Sequence, residues 1–171
     1  MIAYRDAEPD DIEDLVALVV GAIDTYRDWL PATWTPPDPA RHAAHWRRQL
    51  RARIVDPLAH GVVAVESGTG TLVGVVGFTQ ARDAEGAPMD GVGHIWALFV
   101  AAASWRRGVA SALLAAAQDG LRERRCARVI LSTPVGSPAC RFYESRGFAP
   151  DGRRARYEPG DLQLVGYSKA L

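Results

Sequence analysis

The sequence predicts an α/β protein: one mixed, mostly antiparallel sheet of seven strands flanked by about four helices. Three observations lead there. Short β-rich runs recur along the whole chain. Stretches with apolar residues at helical spacing fall between them instead of forming a separate block. One stretch, from His94 to Ser132, reads strand–helix–strand and predicts a right-handed parallel crossover, whereas the remaining neighbours pair antiparallel. A chain of 171 residues fits one domain over 1–171, and 48% hydrophobic residues are enough for one sizeable core.

Taken in order, Ile2–Arg5 is a short strand. Asp10 or Asp11 can cap a helix whose apolar positions Ile12, Leu15, Val16, Val19 and Ile23 share a face, and which fades near Trp29–Pro31. Pro31–Pro39 is proline-rich and irregular. A second helix runs from Pro39 to Ile54 with Trp46 and Leu50 on one face. Gly61–Glu66 and Thr71–Thr79 form a hairpin around Ser67–Gly70. Arg82–Gly91 reads as a polar loop and His94–Val100 as the strongest strand. The helix from Arg107 to Arg124 carries an apolar stripe of Val109, Leu113, Leu114, Ala117 and Leu121. Arg128–Ser132 is a buried strand. Ser137-Pro138 starts a helix that Gly147 ends. Arg153–Tyr157 and Leu162–Ser168 are the last strands.

Twenty acids balance twenty bases, so net charge selects neither nucleic acid nor an anionic membrane as partner. The first 40 residues hold nine acids against two arginines, which reads as a solvated helix face or as a surface attracting a cation. Cys126 and Cys140 form no disulfide framework. With an acidic N-terminal stretch and no apolar run longer than Leu15–Ile23, the expectation is a cytoplasmic protein with no membrane segment.

The chemistry concentrates after His94–Val100. Trp105-Arg106-Arg107-Gly108-Val109-Ala110-Ser111 opens a helix, whose first amides have no intrahelical partner and carry a partial positive charge. Small residues at Gly108, Ala110 and Ser111 let phosphates approach the backbone, and Arg106 and Arg107 add charge. The pattern suits a diphosphate, yet it is neither a Walker A loop nor a dinucleotide fingerprint. By itself it also fits a tight turn with exposed arginines.

A second motif, Ala139-Cys-Arg-Phe142-Tyr143-Glu144-Ser-Arg-Gly147-Phe148, lies one helix and one strand later. Together the two resemble the GNAT acyl-CoA-dependent N-acetyltransferase superfamily, which pairs a Q/R-x-x-G-x-G/A loop with an A-x-x-(L/F)-Y-E-x-x-G-F helix. Two positions depart from that pattern: Trp105 stands at the Q/R position, with Arg106 where a glycine is usual, and Gly136 replaces an asparagine.

The resemblance implies a parallel pair of strands, the fourth and fifth, that splay apart to hold acetyl-CoA as co-substrate. Backbone groups of Leu98, Phe99 and Val100 would pair with the pantetheine arm. Residues 105–111 would hold the diphosphate, and Gly136, Ala139 and Phe142 would border the cofactor. It implies direct attack by the primary amine of a small molecule on the thioester. Tyr143, a phenol near pKa ~10, would be the acid for the departing thiolate. His94, an imidazole near pKa ~6.5, or a water chain would be the base. Strand alternation predicts His94, Trp96, Leu98 and Val100 on one face. Asp28, Trp29, Trp34 and Trp96 are candidate acceptor contacts; Trp29 and Trp34, like Trp46, also suit the core. Another acyl-CoA, an oxygen acceptor, or acyl-CoA binding without turnover remain alternatives, and a homodimer is a common family arrangement. His42 and His45 lack a third ligand, so no metal is expected.

Overall fold

Burial in the computed structural model, which describes Met1 to Leu171, follows the apolar stripes of the sequence. The strands are β1 (Ile2–Asp6), β2 (His60–Glu66), β3 (Leu72–Arg82), β4 (Pro88–Val100), β5 (Arg128–Pro134), β6 (Ala149–Tyr157) and β7 (Leu162–Ala170). The helices are α1 (Ile12–Asp24), α2 (Pro39–Ile54), α3 (Val109–Glu123) and α4 (Pro138–Glu144). The sheet has the order β1-β2-β3-β4-β5-β7-β6. Only β4 and β5 run parallel, joined by the α3 crossover; every other pair is antiparallel.

Each face of the sheet carries its own core. On one, Leu113, Leu114, Ala117 and Leu121 of α3 pack against Val76, Phe78, Ile95, Val129 and Leu131. On the other, Leu15, Val16 and Val19 of α1 and Trp46 and Leu50 of α2 cover Val63, Val75 and Ala97. Each such leucine contributes about 1.5–3 kcal/mol by leaving water. No helix is long and apolar enough to cross a membrane.

Three expectations change. The polar stretch Arg82–Gly91 is not all loop: Arg82 pairs with Pro88, so β4 begins at Pro88 and the turn shrinks to five residues. Asp83 closes that turn by accepting from the amides of Glu85 and Ala87 at 3.1 and 2.8 Å. The run reads as loop because this hairpin tip packs on nothing and needs no apolar alternation. Next, Asp11 precedes α1 but does not cap it. Its carboxylate accepts both Arg5 nitrogens at 2.7 and 2.8 Å and the Glu8 amide, fastening β1 to the turn before α1. Finally, α1 stops at Asp24, and a tighter turn, Thr25–Asp28, carries the chain towards Trp29.

Candidate active site

The sheet opens where β4 and β5 meet. They pair only at Val92–His94 with Arg128–Ile130. Beyond His94, β4 continues for six residues and β5 for four with no partner on the facing side. A β-bulge marks the point of departure. Gly77 of β3 pairs with Ala97 and Phe78 with Ile95, leaving Trp96 as the extra residue. The bulge overturns the single face expected for His94, Trp96, Leu98 and Val100. Leu98 and Val100 join the α3 core, while Trp96, Ala97 and Phe99 join the α1/α2 core. His94 shares that second face, because its neighbour Gly93 lies against Leu121 of α3.

Val100 exposes its carbonyl to the open edge, where it accepts the Trp105 indole N–H at 2.9 Å. Alternation turns the backbone of Leu98 to the same edge. Phe99 sits opposite Val75 of β3, and its ring meets Trp46 edge-on at 5.3 Å.

At the end of this edge the chain forms the tip of α3. Arg106 and Gly108 both adopt left-handed backbone, with φ of 59° and 82°. The turn aims its amides outward. Those of Arg107, Gly108, Val109, Ala110 and Ser111 make no hydrogen bond within the protein, and no side chain caps the helix. Arg106 is exposed and unpaired, whereas Arg107 reaches Glu66 at 3.3 Å. Five amides, a positive helix end and arginine side chains form a receptor for a multiply charged anion such as a diphosphate.

Across the opening stands α4. Ser137 precedes it with its hydroxyl turned to Thr133 at 3.2 Å, and Gly136 makes the preceding turn at φ 76°. Ala139 and Phe142 are partly buried against the α3 core. Tyr143 is buried among Phe142, Phe148 and Tyr167, at ring distances of 5.4, 5.7 and 6.3 Å. Burial, then the nearby Tyr26 and Cys140, push its phenol well above the ordinary range. Arg146 donates to Ser111 at 2.6 Å, so the end of α4 is tied to the first turn of α3.

The α1/α2 face holds the remaining candidates. His94 makes a correction necessary. Burial first, then Arg53 and Arg153, lower its imidazole to about 4, not the ordinary 6.5. Trp29 and Trp34 surround Tyr26 at 5.0 and 6.4 Å, and Trp34 donates to the Gly160 carbonyl at 2.9 Å. That bond fastens the α1–α2 segment to the β6–β7 turn. Asp28 is exposed beside this aromatic group. Trp96 lies elsewhere, flat on Gly77 and under the Arg53 guanidinium, 5.2 Å from its ring centre.

Several residues at this opening escape sequence reasoning. Trp46 Nε1 can only donate, and it reaches Tyr157 Oη at 2.8 Å. That hydroxyl also lies 2.7 Å from His42 Nε2, and the histidine tautomer sets which of the two donates. His42 Nδ1 is buried and has no partner. Tyr26 is pushed up to about 12 by burial and lies close enough to both Tyr143 and Tyr157 to raise them. No local pattern brings residues 26, 42, 143 and 157 together; only the i, i+4 spacing of His42 and Trp46 hints at a shared face. Nowhere do three potential metal-ligating side chains converge.

A mixed seven-stranded sheet split after its fourth strand, with an amide-lined helix tip at the split, defines the class of GCN5-related acyltransferases. The model of the acetyltransferase (GNAT) family matches residues 23–148, and the chain belongs to that family. Solved structures share the fold from end to end. The PaiA N-acetyltransferase of Thermoplasma acidophilum, determined in complex with coenzyme A, is 15% identical over 100% of this chain and 99% of its own, with a TM-score of 0.73. The GCN5-related N-acetyltransferase of Kribbella flavida is 21% identical over 99% and 98%, with a TM-score of 0.72. The ribosomal-protein-alanine N-acetyltransferase of Brucella melitensis is 24% identical over 99% of both chains, with a TM-score of 0.69. No curated protein matches the sequence.

Proposed function

We propose that this protein is an N-acetyltransferase that moves the acetyl group of acetyl-CoA to the primary amine of a small molecule. The observation that carries the reading is the run of five unpartnered amides, Arg107 to Ser111, beside the open edge of β4. Backbone donors spaced along a turn and a helix start suit a diphosphate, and an unpaired strand edge suits the amide-bearing arm attached to it. Acetyl-CoA supplies the activated acetyl group as a thioester.

Leu98 and Val100 align that arm along β4. Burial keeps Tyr143 protonated at neutral pH, so its hydroxyl hydrogen is available to the departing sulfur as negative charge develops there. His94 is uncharged at neutral pH and can accept a proton from the incoming amine, directly or through water. Tyr26, Trp29 and Trp34, with Asp28 at their rim, form the aromatic side on which the acceptor would rest. The bond from Trp105 to the Val100 carbonyl favours a second reading, acyl-CoA binding without turnover, because it occupies one acceptor on the β4 edge.

Release of free thiol from acetyl-CoA, followed across a panel of amines, separates the two. The expected result is amine-dependent release by the native protein and a loss of about a hundredfold or more in kcat for Tyr143→Phe, with acetyl-CoA affinity retained. Binding with no release for any amine leaves the second reading. Unchanged turnover of Tyr143→Phe takes that residue out of the chemistry.

A further inference from the structure

One side chain of the protein already occupies the open edge of β4. Val100 turns its carbonyl out of the sheet at the split, and the Trp105 indole N–H donates to it at 2.9 Å. An indole nitrogen can only donate. Strand pairing needs the same oxygen, because a chain added beside β4 would bring its own amide nitrogen to about 2.9 Å from it. The indole nitrogen stands in that place, and its ring in the strip where such a chain would run.

The backbone around Trp105 is fixed, and its ring is not. Ala101 donates to the Val73 carbonyl at 2.9 Å, Ser104 to that of Ala101 at 2.8 Å and Trp105 to that of Ala102 at 3.1 Å. Ser104 is buried, so the turn is anchored. The indole, by contrast, is 50% exposed and belongs to neither core. Its bond to Val100 is worth only a few-fold in an equilibrium, once exchange with water is counted. Rotation about the side-chain bonds alone takes the ring off the edge, and exposed side chains make such moves fast.

We propose that Trp105 is a displaceable latch on the β4 edge: its indole holds the Val100 carbonyl in the free protein and yields it to the amide-bearing arm of coenzyme A. The inference rests on the acyl-CoA reading. A binding-competent state that is only partly populated lowers apparent affinity by the fraction that is open. The closed latch therefore weakens every ligand that carries an arm. A ligand confined to the amides of Arg107 to Ser111 never meets the ring and escapes the penalty. Trp105 thus sets affinity for the arm and leaves affinity for the diphosphate alone.

Coenzyme A and ADP are the probes; both carry the diphosphate, and only the first carries the arm. Nitrogen-15 spectra of the native protein give each indole N–H its own peak, and Trp105→Phe, which keeps an aromatic ring, identifies that of Trp105. The expected result is a slowly exchanging Trp105 N–H in the free protein that coenzyme A releases to solvent and ADP leaves in place. By calorimetry, Trp105→Phe should bind coenzyme A about three- to tenfold more tightly and ADP with native affinity. Coenzyme A bound with the Trp105 N–H still protected would overturn the latch, as would equal or weaker affinity in Trp105→Phe. An equal gain for ADP would also overturn it, by placing the effect at the α3 tip. Absence of coenzyme A binding in both proteins is a different result: it removes the acyl-CoA reading, and the latch with it. Should Trp105→Phe fail to fold by circular dichroism, the native spectrum decides, with the Trp105 peak identified by its proximity to Val100.

Discussion

His94 shows how far surroundings move a residue from its solution chemistry. A histidine on a strand beside the reaction centre suggests an imidazole titrating near 6.5, the value best matched to neutral pH. In place, burial and the two arginines Arg53 and Arg153 hold it at about 4. It is therefore always available as an acceptor above pH 5, but it is a weak base and does not switch in the working range. Under the proposed reaction the acceptor amine supplies the pH dependence. In the native protein kcat/KM should rise with pH as the acceptor loses its proton, with no inflection near 6.5. It should fall again only as the medium is acidified towards 4, where His94 takes a proton and loses its lone pair. A pH–rate profile from 4.5 to 9 checks this. A break near 6.5 that vanishes in His94→Asn would show that the imidazole titrates normally. Arg106 makes a parallel point: its left-handed backbone, φ 59°, costs a non-glycine residue roughly 1–2 kcal/mol, a conformation that suits the glycine of the loop pattern this stretch resembles.

At the scale of elements, the bulge in β4 controls the site, and Gly77 controls the bulge. Trp96 is the unpaired residue, and its ring occupies the space a side chain on Gly77 would need. Gly77→Ala should therefore force the indole aside and destabilise the fold by about 1–3 kcal/mol, the usual cost of overpacking. A urea midpoint measures the loss, and a shift in tryptophan emission reports the displaced ring; a midpoint equal to native would mean the bulge has room to spare. This dependence explains what was legible in the sequence. The glycines of the two motifs are visible because turns demand them: Gly108 and Gly147 both have φ above 80°. The strand His94–Val100, the crossover helix and α2 were equally plain from their apolar periods. The bulge was not, because no glycine or proline marks it within β4; the marker sits on β3, at Gly77. His42 was misleading for a similar reason. It reads as one more polar residue on an arginine-rich helix, yet it is 2% exposed because its partners Trp46 and Tyr157 come from the same face and from β6.

The molecule as a whole is two partial sheets hinged at a short seam. The strands β1–β4 form one part and β5–β7 the other, and between them the sheet is joined only by the three residue pairs at Val92–His94. The α3 core and the Arg146–Ser111 bond add ties on one face, and the bonds of His42 and Trp46 to Tyr157 and of Trp34 to Gly160 add ties on the other. A ligand lying along the open edge would touch both parts and would complete the hydrogen bonds left open at the α3 tip. Its binding energy therefore adds to global stability. At a hundred times its dissociation constant, acetyl-CoA should add about 2.7 kcal/mol. For a chain of this size that amounts to a rise of about 5–10 °C in Tm. The gain should also have a location. Hydrogen exchange should slow at the α3 tip, residues 107–111, and along the free stretches of β4 and β5, while the β1–β2 edge stays unchanged. A thermal shift accompanied by protection on the distant edge alone would place the ligand outside the split.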